Sequence, residues 1–185
     1  PVALLIDDEL FTWVIDNGFK KLYKVDFNGD IVREAAFSAS SNLMDISIDS
    51  NNNIFVLDAG VISGYNSDCV ALTAIDTDPA TTSPISSIDV TSQNLVRGFT
   101  FDDACFDNDD IPWTISGGSV FNNGALVISG ISATNVACNK DNTVWILNNT
   151  TEFMNISGTT VSLSGSLTTN AGVSSRGINF TNEYV

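Results

Sequence analysis

Asp102, Asp103, Asp107, Asp109 and Asp110 place five carboxylates within nine residues. An oxygen-only cluster of this kind suits calcium, a hard cation that takes 6–8 oxygen ligands. The EF-hand template fails here, because no glycine follows at the turn and no glutamate stands at the twelfth position. These five residues are therefore the candidate calcium ligands, and the competing reading is a solvated acidic loop between strands. Asp26-x-Asn28-x-Asp30 and Asp49-x-Asn51-x-Asn53 have calcium-like spacing too. Both fall at hairpin turns, where Asp and Asn are favoured because their side chains bond the local backbone. The reading carried forward is an unliganded acidic surface loop and no cofactor, with calcium as the alternative.

Other chemistries are excluded or weak. The chain has no histidine, which removes a Ser-His-Asp triad, a Cys-His pair and His-ligated zinc. Cys69, Cys105 and Cys138 form no CxxC site, and three small buried residues is the plainest reading. A Cys69–Cys105 or a Cys105–Cys138 bridge is the other. Lys20-Lys21-x-x-Lys24 holds three of the 7 basic residues and reads as a solvated strand face. Asn148, Asn149, Asn155 and Asn179 begin Asn-x-Ser/Thr triplets, which matter only on a secretory route. A net charge of −15 repels phosphates, so neither nucleic acid nor an anionic membrane is expected as a partner. No apolar run is long enough to span a bilayer as a helix.

The elements that position these residues follow from composition and periodicity. Asn, Ser and Thr abound while Lys, Arg and Glu are scarce, which favours short strands and polar turns over helices. Four segments repeat one pattern: a strand, an Asp/Asn-rich turn, and a strand centred on an aromatic. They centre on Trp13, Phe55, Trp113 and Trp145, and a fifth copy begins at Tyr184. The spacings are 42, 58, 32 and 39 residues, and all 3 tryptophans fall in this column. Asn28-Gly29, Asn122-Asn123-Gly124 and Ser157-Gly158 mark return hairpins. A period near forty with four strands per unit predicts an all-β propeller of about four blades plus the start of a fifth. The expected blades are residues 2–43, 44–95, 96–133, 134–174 and a partial 175–185, one propeller region of a longer chain. The aromatic column is read as core between blades, with Trp113 the candidate exception that could stack on a ligand. The acidic stretch is expected to leave the third blade as a loop, accounting for the 58-residue spacing.

Residues 13–60 carry a closer likeness. Val14-Ile15-Asp16-Asn17-Gly18-Phe19-Lys20-Lys21-Leu22-Tyr23-Lys24-Val25-Asp26-Phe27-Asn28-Gly29, followed by Met44-Asp45-Ile46-Ser47-Ile48-Asp49-Ser50-Asn51-Asn52-Asn53-Ile54-Phe55-Val56-Leu57-Asp58, resembles NHL-type β-propeller repeats. Asn52 stands where those repeats have a glycine, and Lys21 replaces the usual arginine. The resemblance implies the propeller fold and carries over no catalytic residue.

Two functions fit. The first is a non-enzymatic structural or binding propeller in an extracellular or virion assembly of the phage-tail kind, with protein partners and an oligomeric state consistent with assembly. The alternative is a calcium-dependent hydrolase similar to gluconolactonase-type propellers, which hold a metal with Glu, Asn and Asp. This chain offers only Glu9, Glu34, Glu152 and Glu183 for that role.

Overall fold

The computed structural model describes residues 1–75, 85–139, 142–149, 152–157 and 160–166. Among them the regular structure is entirely β-strand, and no helix is long and apolar enough to cross a membrane. One compact unit is built on Pro1–Thr100 and a second on Phe101–Phe180.

In the first unit, β1 (Ala3–Ile6), β2 (Thr12–Asp16), β3 (Lys21–Val25) and β4 (Ile31–Ala36) pair in chain order as an antiparallel meander. A second meander holds β5 (Leu43–Ile48), β6 (Ile54–Asp58) and β7 (Val61–Tyr65), and β8 (Ser87–Val90) pairs with β9 (Val96–Phe99). Leu5, Trp13, Ile15 and Leu22 of the first sheet pack on Leu43, Ile46, Ile54 and Val56 of the second. Phe55 and Leu57, on the opposite face of β6, pack on Ile88 and Val96. A strand covered on both faces needs no polar alternation, and Ile54-Phe55-Val56-Leu57 is accordingly a continuous apolar run, all of it buried.

The second unit repeats the plan. β10 (Asp103–Phe106), β11 (Pro112–Ser116), β12 (Ser119–Asn122) and β13 (Ala125–Ile128) form one meander, and β14 (Ala133–Cys138), β15 (Val144–Asn148), β16 (Glu152–Ser157) and β17 (Thr160–Ser166) form the next. Trp113, Ile115 and Val120 meet Val136, Val144, Ile146 and Ile156 between them. The β12–β13 turn has Asn123 at φ 47° and Gly124 at φ 79°. Two successive positive φ values match the strand twist at a two-residue hairpin.

The aromatic column is real in register. Trp13, Phe55, Trp113 and Trp145 are each the second residue of the second strand of their sheet, opposite Leu5, Ser47, Cys105 and Ala137. Trp13, Phe55 and Trp113 are core. Trp145 is half-buried and lies 5.7 Å from the Phe153 ring. Tyr184 and the rest of the 175–185 segment lie outside the described residues.

Two expectations need correction. The segment 44–95 holds the three-stranded sheet and also β8, the first strand of the next hairpin. At the aromatic position of that hairpin stands Arg97, opposite Asp89. The 58-residue gap thus divides into 42 and 16, and a charged side chain in the column concealed the hairpin. The acidic stretch leaves the sheet only in part: Asp107–Asp110 lies in the turn between β10 and β11. Asp103–Phe106 is strand β10 itself, in register with β11 from Asp103↔Ile115 to Phe106↔Pro112. Ala104, Cys105 and Phe106 are buried, so apolar burial holds this half of the stretch in the sheet despite the charge around it.

Candidate functional site

Asp, Asn and Thr recur at the head of one five-residue turn. In Asp7–Phe11, the Asp7 Oδ1 accepts from the backbone N of Glu9 (3.0 Å) and of Phe11 (2.9 Å). Leu10 N donates to Asp7 O, and Asp7 N to Phe11 O. The same side-chain pattern holds at Asp26 for Asn28 and Asp30, at Asp49 for Asn51 and Asn53, at Asn66 for Asp68 and Val70, and at Asp107 for Asp109 and Ile111. Thr91 Oγ1 accepts from Leu95 N. The fourth residue of each turn has a positive φ: Leu10, Gly29, Asn52, Cys69, Asn94 and Asp110. A short acceptor at position one satisfies the backbone donors that the turn would leave bare. The calcium-like spacings at Asp26 and Asp49 are this turn: at both heads, Oδ1 accepts two backbone N–H groups. Backbone contacts dominate the lowering of the Asp26 carboxyl below the usual carboxylate range, led by the hydrogen bond from Asp30 N.

The left-handed asparagines do further work. Asn94 Oδ1 accepts from Ser50 N (3.1 Å) and Ser50 Oγ (2.8 Å) of the Asp49 turn in the preceding sheet. Asn142, at φ 61°, accepts from Asn108 N at 3.0 Å and donates to Asp109 Oδ2 at 2.9 Å. Asn tolerates this conformation, and its amide then clasps the neighbouring sheet's turn.

The structure sends the five candidate calcium ligands in different directions. Asp102 Oδ2 accepts from Gly117 N at 2.9 Å. Asp103 Oδ2 accepts from Val136 N (2.8 Å) and Asn135 Nδ2 (3.2 Å) of β14. Asp107 Oδ2 accepts from the Trp113 indole at 3.0 Å, and Asp109 meets Asn142. Asp110 is the left-handed residue of its turn. Among the described residues, no group of three or more His, Cys, Asp or Glu side chains is arranged to hold a metal ion. Trp113 is 5% exposed, so it is core and no stacking platform. In the other unit, Asp45 Oδ2 accepts from Ile88 N at 2.8 Å, as Asp103 does from Val136. The two aspartates latch the first strand of one sheet to that of the next.

The basic cluster is also corrected. Lys24 is buried at 6% exposure. Its ammonium lies 3.7 Å from Asp7 Oδ2 and 3.6 Å from Glu9 Oε2, 3.4 Å from Ser67 O, and 4.2 Å from the centre of the Phe11 ring. Asp7 Oδ2 also accepts from the Trp13 indole at 2.8 Å. Strand alternation carries the signal: Lys24 shares a face with fully buried Leu22, so its ammonium is buried and not solvated. Lys21 instead pairs with Glu34 at 2.7 Å, which raises its pKa above the ordinary value, and Lys20 donates to Asn17.

Cys105 and Cys138 are disulfide-bonded, joining β10 to β14 with Cα atoms 5.7 Å apart. Cys69 is a free thiol, and burial pushes its pKa up. Of the Asn-x-Ser/Thr triplets, Asn148 and Asn155 are buried. Asn149 is exposed, and Asn179 lies outside the described residues.

No protein-family model matches the chain, and no curated protein matches it in sequence. Solved structures do. Selenomethionine-substituted virginiamycin B lyase from Staphylococcus aureus superposes with a TM-score of 0.64 at 14% identity, over 90% of this chain and 70% of that one. A catalytically inactive His-to-Ala variant of the same lyase, solved with quinupristin, gives a TM-score of 0.62 at 14% identity, over 89% and 68%. The fold is a β-propeller. At this identity the likeness concerns the fold alone, and it does not single out the NHL-type repeat.

Proposed function

We propose that this chain is a non-enzymatic propeller module that binds and scaffolds protein partners in an extracellular or virion-surface assembly. The observation that carries this reading is where the carboxylates go. Asp7, Asp26, Asp49 and Asp107 hold turns, Asp45 and Asp103 hold adjacent sheets together, and Glu9, Glu34 and Glu152 face Lys24, Lys21 and Asn148. Groups engaged this way are poorly placed to move protons or bind a reacting atom. The S. aureus lyase is inactive when one histidine is replaced, and this chain contains no histidine. A disulfide between sheets suits an oxidising compartment, and the Asn/Ser/Thr-rich, acidic composition suits an exposed surface.

The test is turnover. The purified protein is incubated with quinupristin, and separately with a panel of lactones, with and without calcium and magnesium. We expect no product above buffer. Metal-dependent lactone hydrolysis would replace this reading with the hydrolase, and cleavage of quinupristin would replace it with a lyase.

A further inference from the structure

Three Asn-Gly pairs occur in the chain: Asn17-Gly18, Asn28-Gly29 and Asn123-Gly124. In such a pair the glycine amide nitrogen can attack Cγ of the asparagine, because no Cβ obstructs the approach. We propose that the fold directs this self-modification to Asn123 and shields Asn17 and Asn28.

The step balances with water as the only co-reactant. A bond forms between Gly124 N and Asn123 Cγ, and the Cγ–Nδ2 bond breaks. Ammonia leaves with the proton that Gly124 N gives up. Water then opens the resulting ring at either carbonyl, producing aspartate or isoaspartate.

Asn17 differs from Asn123 in both reacting groups, and Asn28 differs in the nucleophile. At Asn17 the electrophile is tied down: Oδ1 accepts from Lys20 Nζ (2.7 Å) and Leu43 N (3.0 Å), and Nδ2 donates to Asn42 Oδ1 at 3.2 Å. Its nucleophile, Gly18 N, donates to Asp16 Oδ1 at 2.7 Å. A carboxylate there opposes the loss of that proton. At Asn28 the side chain is exposed, but Gly29 N is held by Asp26 O at 3.0 Å. At Asn123 the side chain is exposed, and among the described residues no acceptor takes the Gly124 N–H. The space around Gly124 is open, with no atom within 4 Å of where a Cβ would stand. Asn123 N meanwhile bonds Pro112 O at 2.9 Å, which anchors the residue while its side chain stays accessible.

The product carries one more negative charge at the β12–β13 tip. The isoaspartate form also adds a main-chain carbon to a two-residue turn that sets the Asn122↔Ala125 register.

The experiment ages the intact protein at mildly alkaline pH, digests it, and resolves Asn, Asp and isoAsp peptides by chromatography and mass spectrometry. A parallel sample ages in concentrated urea. We expect the Asn123 peptide to convert severalfold faster than the other two in the folded protein, and the three rates to converge in urea. Conversion at Asn17 or Asn28 as fast as at Asn123 in the folded protein would overturn the proposal. So would the same ranking in urea, since local sequence and not the fold would then set it.

Discussion

Asp7 and Asp107 head the same turn, and each accepts an indole N–H six residues on, yet only Asp7 lies against a buried cation. Replacing each by Asn separates the two roles. Asn keeps an oxygen for the two backbone donors but turns an NH₂ toward the indole, so each variant loses one charge-assisted hydrogen bond and faces two donors together. That loss is worth about 2 kcal/mol, and it should be the whole cost of Asp107→Asn. Asp7→Asn also leaves the Lys24 ammonium with Glu9 as its nearest carboxylate. The Glu9 side chain is 60% exposed and 3.6 Å away, whereas the Asp7 side chain is fully buried. Stranding a buried charge costs about 3–5 kcal/mol, so Asp7→Asn should total about 5–7 kcal/mol. Urea unfolding followed by tryptophan fluorescence measures both. Lys24→Met added to Asp7→Asn should recover most of the excess, because the apolar stem still fills the space. Equal costs for Asp7→Asn and Asp107→Asn, or no recovery in the double variant, would refute the claim that Lys24 depends on Asp7.

Calorimetry with calcium should show no stoichiometric heat; a heat abolished by Asp107→Asn with Asp109→Asn would restore the metal site. Replacing Cys105 and Cys138 by Ala should cost about 3–4 kcal/mol on the chain-entropy account of a 33-residue loop, read as a lowered melting temperature. The Cys69 pKa is raised by burial ahead of its charged neighbours. The folded state therefore keeps its proton to higher pH than the unfolded state, and the associated stability, complete below the ordinary thiol pKa, falls as pH rises through the folded value. Alkylation of Cys69 should be slower at neutral pH in the folded protein than in the urea-unfolded chain, and Cys69→Ser should flatten the alkaline loss of stability measured by urea unfolding across pH. Trp13→Ala should cost about 3–5 kcal/mol as a core cavity, and Trp145→Ala distinctly less because its ring is half-buried; equal values in denaturant unfolding would contradict the burial difference.

The turns were legible because their hydrogen bonds close within five residues. Asp7, Asp26, Asp49 and Asp107 stand two and four positions before the donors they satisfy, so spacing alone marks a turn. The same locality made those spacings look like metal sites, since both uses call for oxygen at alternate positions. The aromatic column was legible for a related reason, because one register place in each sheet calls for a bulky ring. The column failed at Arg97, where no ring marks the β8–β9 hairpin.

What packing between sheets decides was not written in any short window. Whether Cys105 pairs with Cys138 or Cys69 depends on β10 and β14 lying side by side. The dispersal of Asp102, Asp103, Asp107, Asp109 and Asp110 depends on which backbone donors of β14 and neighbouring turns come within 3 Å or so. Lys24 is the clearest case: alternation put it on the buried face, but only the turn at Asp7 and the carbonyl of Ser67, 43 residues away, make that burial tolerable. Sequence sets hydrogen bonds that close locally, and the tertiary structure decides those whose partners are brought together only by the stacking of one sheet on the next.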